Sequence, residues 1–295
     1  MPDRLLALGY QPDWWEILAS PFMRNAVVGG TLVALAAGLI GYFIVVRNSA
    51  FAAHALAHIG FPGATGAVLL GLPVTLGLGV FCIGGALVNG ALGKRADERE
   101  VATGTVLAAA TGLGLLFSSM ATRSSSTVTN VLFGNLLAIT PQQLTVFALA
   151  VVVLAVVIAF VYRPLLFASV NAEVAEAKGV PVRLLAVVFM ALLGLAVTMA
   201  VQAVGTLLLF ALVVTPAATA IMLTARPGAA MILSTVLSVA AVWAGLTLAA
   251  MFNVPPSFVV VSIVSVIWLA VWLVVERDEA DRRTPPAGPG RAHPA

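Results

Sequence analysis

Apolar runs about twenty residues long recur along the whole chain, at residues 25–46, 51–71, 73–92, 101–119, 143–162, 184–202, 204–225, 229–251 and 255–275. A run of that length crosses the ~30 Å hydrocarbon layer of a bilayer as a single α-helix, because each helical residue adds about 1.5 Å. The strands of a membrane barrel would show alternating segments about half as long, and these runs do not alternate. The sequence therefore predicts an all-α, polytopic transmembrane helical bundle, one domain over residues 1–275, with nine spans. Two boundaries are very tight, near Gly71–Pro73 and near Gln202–Gly205; a broken helix at either one reduces the count to eight. Composition agrees: 61% of the residues are hydrophobic and 9% charged, whereas a soluble domain carries about 25% charged residues. The net charge of +3 comes from the loops and does not point to nucleic acid.

Orientation follows from lysine and arginine, which favour the cytoplasmic side. With the loop 163–183 in the cytoplasm, twelve of the fifteen fall inside and only Arg4, Arg24 and Arg123 outside. The N-terminus is then outside and the C-terminus inside. Residues 1–23 form an N-terminal segment whose Trp14-Trp15 pair suits the membrane interface. Asp3, Arg4, Asp13 and Glu16 make that segment too polar for a cleavable signal peptide. The run 131–139 is too short to cross and reads as a loop helix or a re-entrant piece within a polar outer loop, 118–142. Residues 276–295, a charge run followed by TPPAGPGRAHPA, read as a disordered cytoplasmic tail in which His293 is solvated. The single cysteine, Cys82, excludes an internal disulfide and reads as a small packing residue.

One span is chemically distinct. His54 and His58 stand four residues apart in the run 51–71, with Pro62 four residues further on. Residues at i and i+4 share a helix face, and a proline frees a backbone group of the preceding turn. No acidic side chain and no lysine or arginine falls inside a span. Ionisable groups are costly in a membrane and mark functional positions, so His54 and His58 are the candidate polar station. The missing intramembrane carboxylates leave no obvious proton relay. The chain also lacks a P-loop: Gly93-Lys94 is followed by arginine, and Val88 stands where the first glycine would fall. No serine–histidine–acid arrangement can be assembled in the spans, so the chain is not read as an enzyme. Uphill transport would draw its energy from a partner, the alternatives being a channel or a passive facilitator.

Two further segments stand out. In 163–183, Asn171 is a good N-cap, Glu173 and Glu176 fall early in the following helix, and Lys178-Gly179 with Pro181 ends it. This predicts a helix of about two turns, serving either as a connector or as a piece that docks into another protein. Thr215-Pro216 lies within the run 204–225, where proline opens the backbone ladder; the resulting kink suits gating and packing equally. Asn89, Gln202, Thr206 and Asn253 sit near span ends, where interhelical hydrogen bonding is expected.

Taken together, three segments resemble the metal-ion ABC importer permeases, which take up zinc, manganese or iron. Residues 21–71, PFMRNAVVGGTLVALAAGLIGYFIVVRNSAFAAHALAHIGFPGATGAVLLG, resemble the opening of that family. NAEVAEAKGVPVR (171–183) resembles its cytoplasmic segment, and VGTLLLFALVVTPAATA (204–220) its proline-containing helix. The resemblance runs in order over roughly residues 21–275. It implies a permease of a bacterial plasma membrane that pairs with a second copy, sits on two cytoplasmic ABC ATPase subunits and receives its ion from an extracytoplasmic metal-binding protein. Segment 171–183, with Asn171, Glu173, Glu176, Gly179 and Pro181, would then be the helix that docks into the ATPase. In the family the positions of His54 and His58 touch the passing ion, and the first is usually aspartate. Histidine at position 54 removes a negative charge, and imidazole suits zinc whereas carboxylate favours manganese. The cargo implied is thus a divalent ion bound transiently, zinc or manganese, with zinc the better match to the donors. Two other readings remain: a self-sufficient facilitator or secondary carrier, and an ABC permease for an iron chelate or cobalamin.

Overall fold

A computed structural model describes residues 10–92, 96–120 and 124–283. Arg123, Lys94, Arg95, His293, residues 1–9 and the tail beyond 283 lie outside the described residues. Among the described residues twelve α-helices follow one another: α1 (Trp14–Ala19), α2 (Pro21–Val46), α3 (Ala50–Leu69), α4 (Val74–Leu92), α5 (Ala96–Met120), α6 (Ser124–Phe133), α7 (Pro141–Val170), α8 (Ala172–Ala177), α9 (Val182–Val213), α10 (Thr215–Leu223), α11 (Pro227–Phe252) and α12 (Pro256–Arg283). A short 3-10 turn, Leu136–Ala138, lies between α6 and α7.

Each of the nine apolar runs falls on helix. Five segments are long and apolar enough to cross a membrane by themselves: α2, α7, the first part of α9, α11 and the bulk of α12. Shorter apolar helices at 74–89, 104–120 and 208–223 pack among them. The centre of the bundle is α2 with the first half of α9, each 67% buried over its most apolar window, while α12 is only 17% buried. An apolar helix that leaves so much surface uncovered has a solvent other than water, which is what lipid provides. Small residues set the interhelical spacing. Gly63 of α3 and Gly77 of α4 lie so close that a Cβ on either would overlap the other's carbonyl, the close backbone approach that small residues permit in membrane bundles. Cys82 is buried against the same helix, its Sγ 3.4 Å from the Leu56 carbonyl oxygen, in the packing role expected of it.

The tight boundary near Gly71 is a turn between two separate helices. The one near Gln202 is a broken helix. Gly205 has φ 81° and ψ 170°, which divides α9 in two. That region is accessible essentially only to glycine. Across from it Gly134, also left-handed (φ 70°), ends the chain path of α6. The short run 131–139 is the piece that meets the break: Val131, Leu136 and Ile139 are all buried, and α6 packs against α9. A loop that turns back into the bundle describes it better than a surface helix.

Three expectations need correcting. The loop 118–142 is substantially helical, since α6 occupies Ser124–Phe133. The last helix continues to Arg283, past the boundary at 275 where hydropathy drops, so residues 276–283 are not a disordered tail. The Thr206 hydroxyl is buried with no hydrogen-bond partner, so it makes no interhelical bond; Asn253, for its part, caps α11 in the left-handed conformation (φ 51°).

Candidate functional site

His54 and His58 do share a face of α3. Their rings lie edge to face with centroids 4.8 Å apart. Both are half-buried and neither is exposed. His54 Nδ1 is fully buried and has no hydrogen-bond partner. A buried polar atom without a partner costs about 1–3 kcal/mol, and an imidazole nitrogen in that condition is suited to a metal ion. Pro62 lies inside α3 without ending it. Having no N–H, it cannot donate to the carbonyl of His58, four residues earlier. An oxygen acceptor therefore stands on the same turn as the second imidazole. Among the described residues no group of three or more His, Cys, Asp or Glu side chains gathers to hold a metal. His54 and His58 bring two imidazoles together, fewer than the four ligands of a closed zinc site.

The histidines lie nearer one end of the bundle. His54 and His58 are one to two turns into α3, whose start follows directly on Arg47. The Arg47 guanidinium donates to Ser169 Oγ (3.2 Å) and lies 5.0 Å from the centre of the Phe189 ring. It thus joins the ends of α2, α7 and α9, next to α8.

Helix α8 is built by local rules. The Asn171 side chain accepts from the Val174 N–H (3.0 Å). At the other end Gly179, with φ 82°, makes a paired cap: its N–H donates to Glu176 O (2.9 Å) and the Val180 N–H to Ala175 O (3.0 Å). These are the two bonds of a Schellman end, and Pro181 then opens α9 as its N-cap. Glu173, Glu176 and Lys178 are exposed, and Ala175 is the one buried residue of the helix. The helix presents charge outward on a rigid frame.

Val214 alone, in helical conformation (φ −101°, ψ −46°), separates α9 from α10 at Thr215 and Pro216. They begin α10, with Pro216 in its first turn and buried, where proline's missing N–H is harmless. They lie on a helix separate from the two histidines.

The end of the first half of α9, just before Gly205, carries a polar cluster that the sequence did not single out as a site. Gln202 Nε2 donates to Thr198 O (3.0 Å) within its own helix. Its Oε1 accepts from Thr75 Oγ1 of α4 (2.8 Å) and from Gln143 Nε2 of α7 (3.0 Å), and its backbone carbonyl accepts from the Asn135 N–H (3.3 Å). A cavity of about 190 Å³ lies beside it, lined by Asn130, Asn135, Gln143 and Gln202 among apolar neighbours. Only the isolated Gln202 in an apolar run signalled this in the sequence; its partners come from 59 and 127 residues away.

Comparison with known proteins gives a consistent result. The family model described as "ABC 3 transport family" matches residues 19–275. The chain is similar to the "Manganese transport system membrane protein MntC" of Listeria monocytogenes, 28% identical over 253 residues, which cover 85% of this chain and 90% of that protein. It is similar to the "Manganese import system permease protein ScaB" of Streptococcus parasanguinis, 28% identical with 88% and 93% covered. Among solved structures it resembles "PsaBC from Streptococcus pneumoniae in complex with Fab", with a TM-score of 0.81 at 26% identity, covering 92% of this chain and 99% of that one.

Proposed function

The chain belongs to the ABC 3 transport family, and from that membership we propose that it is the membrane permease of an ATP-driven importer of a divalent transition-metal ion. It is a transport subunit and not an enzyme. ATP hydrolysis falls to partner ATPase subunits, consistent with the absence of a P-loop from its sequence. A second copy of the permease completes the pathway, and an extracytoplasmic metal-binding protein delivers the ion at the end of the bundle opposite α8. The N-terminus is outside and the C-terminus cytoplasmic, as the lysine and arginine bias requires.

The observation that carries this reading is the His54–His58 pair with its unpartnered Nδ1. Two imidazoles bind an incoming ion weakly enough to release it, the condition for conduction. Nucleotide binding in the ATPase moves α8, and Arg47 passes that motion to the start of α3, so that access to the histidines alternates. The breaks at Gly205 and before Pro216 provide the joints. Imidazole donors favour zinc over manganese. The named relatives carry manganese in their names, so both ions belong in the test.

The test is uptake of radioactive zinc and manganese by proteoliposomes holding the permease, its ATPase and its binding protein. ATP-dependent accumulation that is lost in the His54→Ala, His58→Ala double variant supports the reading. Concentrative uptake by the permease alone would instead identify a self-sufficient carrier and overturn it.

A further inference from the structure

Helices α7 and α11 flank α2, and a groove runs between them. Gly29 of α2 lies against Leu144 of α7, and Gly30 and Gly38 lie against Val242 and Thr235 of α11. The side of α2 left between these contacts recurs at helical spacing. Leu32, Leu35 and Leu39 are half-buried there, while Ala34, Ala36 and Gly38 between them are buried. These leucines make an apolar floor. The walls are apolar too: Phe160 of α7 is 83% exposed and Ile232 of α11 68%. At one end the two walls converge. A Cβ on Gly228, in the first turn of α11, would stand 3.6 Å from the Tyr162 hydroxyl of α7, and the Tyr162 ring packs edge to face on Phe43 of α2 with centroids 6.2 Å apart. From Leu32 to Phe43 α2 rises about 16–17 Å, close to the hydrocarbon depth of one leaflet, about 15 Å.

Two cations stand at that closed end. Arg163 follows Tyr162 directly and continues the exposed stripe of α7 formed by Val153, Val156 and Phe160. Arg226 is the N-cap residue of α11, two positions before Gly228; it is exposed and its side chain makes no cap bond. Among the described residues neither guanidinium has a hydrogen bond or an ion pair, and the Tyr162 hydroxyl has no hydrogen bond. Both arginines lie in acid-free stretches, since no Asp or Glu occurs at 101–172 or at 177–275. Unpaired cations at the end of an apolar groove complement a ligand with an anionic head and an apolar tail. The planar fork of arginine suits a phosphate, and the phenol adds a further donor.

We infer that this groove holds one anionic phospholipid, its phosphodiester between Arg163 and Arg226 and an acyl chain along Leu32, Leu35 and Leu39. The inference uses the cytoplasmic placement of this end proposed above and is independent of which ion is carried. The apolar groove accepts any acyl chain, so selection falls to the headgroup. A zwitterionic lipid brings a cation of its own next to the two arginines, whereas an anionic one does not. Each basic residue near an anionic headgroup favours it by a factor of about five. The seated lipid joins α7 to α11 across α2, at the end where α7 leads into α8.

The experiment is native mass spectrometry of the detergent-solubilised complex of permease and ATPase, with phosphatidylglycerol or phosphatidylcholine added at equal concentration. The wild type should retain phosphatidylglycerol under activation that strips phosphatidylcholine. Arg163→Gln combined with Arg226→Gln should lower phosphatidylglycerol retention about thirtyfold, about fivefold for each arginine, and leave phosphatidylcholine unchanged. Each single variant should show its own fivefold loss, and the singles decide if the pair does not assemble. Arg277→Gln, an exposed arginine on α12, should retain the lipid as the wild type does. An equal loss in Arg277→Gln would identify diffuse attraction to a charged end and overturn the site. Displacement of the lipid by inorganic phosphate would identify a plain anion site and overturn the lipid assignment. Unchanged retention in the Arg163 and Arg226 variants overturns the inference outright. None of these readings involves metal uptake, so a failure of the transport function is a separate result.

Discussion

Gly134 and Gly205 face each other across the interior with left-handed backbones, at φ 70° and 81°. A Cβ on Gly134 would overlap the backbone at Val204 and Gly205, and one on Gly205 would overlap Leu132 and Gly134. Neither glycine is chosen for its own turn alone; each leaves room for the other. The returning piece α6 and the broken helix α9 are therefore one packing unit, at the same end of the bundle as Gln202.

Gly205→Ala and Gly134→Ala should each destabilise the protein by about 2–6 kcal/mol, combining about 1–3 kcal/mol of backbone strain with about 1–3 kcal/mol of overpacking. Because the two share one gap, the double variant should lose less than the sum of the singles. Thermal unfolding of the detergent-purified permease measures this; additive losses would show that the two breaks do not act together.

Replacing His54 or His58 by alanine should lower metal uptake by roughly tenfold or more, since loss of a supporting group at a metal site already costs about 10- to 100-fold. His54→Asp restores a negative, harder donor. It should raise the ratio of manganese to zinc uptake by about tenfold while total transport persists. Parallel uptake of the two radioisotopes reads the ratio directly. An unchanged ratio would mean that position 54 does not meet the ion.

Asn171→Ala removes the side-chain bond to the Val174 N–H, a cap worth about 1 kcal/mol. The six-residue helix α8 has little other reserve, since only Ala175 is buried. Metal-stimulated ATP hydrolysis by the complex should fall roughly fivefold, the ratio that about 1.0 kcal/mol corresponds to. Gly179→Val, which opposes a φ of 82° and disrupts both bonds of the C-terminal cap, should lower it further. Equal activity in both variants would remove α8 from the coupling path.

How much of this was legible beforehand depended on whether a signal is local. The His54–His58 face follows from a spacing of four, and α8 from Asn171 and Gly179 within nine residues, so both were read correctly. The bonds of Gln202 to Thr75 and Gln143 cross 127 and 59 residues, and nothing in one segment names the other. The fit of Gly134 against Gly205 is hidden in the same way, because glycine is common in these spans for general packing reasons. The extension of α12 to Arg283 was missed because hydropathy measures burial in lipid. Glu276, Arg277, Glu279 and Arg283 are good helix formers by residue type, so the helix continues where the apolar run ends.

Arg47 provides the most direct test of how motion reaches the histidines. It ends α2, bonds Ser169 near the end of α7 and stacks on Phe189 of α9, and α3 with its histidines begins three residues later. The guanidinium does two things at once: it donates in a plane and it lies over an aromatic ring, a combination an ammonium does not reproduce. Each contact is worth on the order of 1 kcal/mol. Arg47→Lys should therefore behave nearly like Arg47→Ala. Both should lose about 1–2 kcal/mol of stability and uncouple ATP hydrolysis from metal uptake, with hydrolysis largely retained and uptake reduced. The ratio of metal moved to ATP consumed in proteoliposomes is the decisive quantity. If Lys restores that ratio to the wild-type value, charge alone suffices at position 47, and the stacked, bonded geometry has no part in coupling.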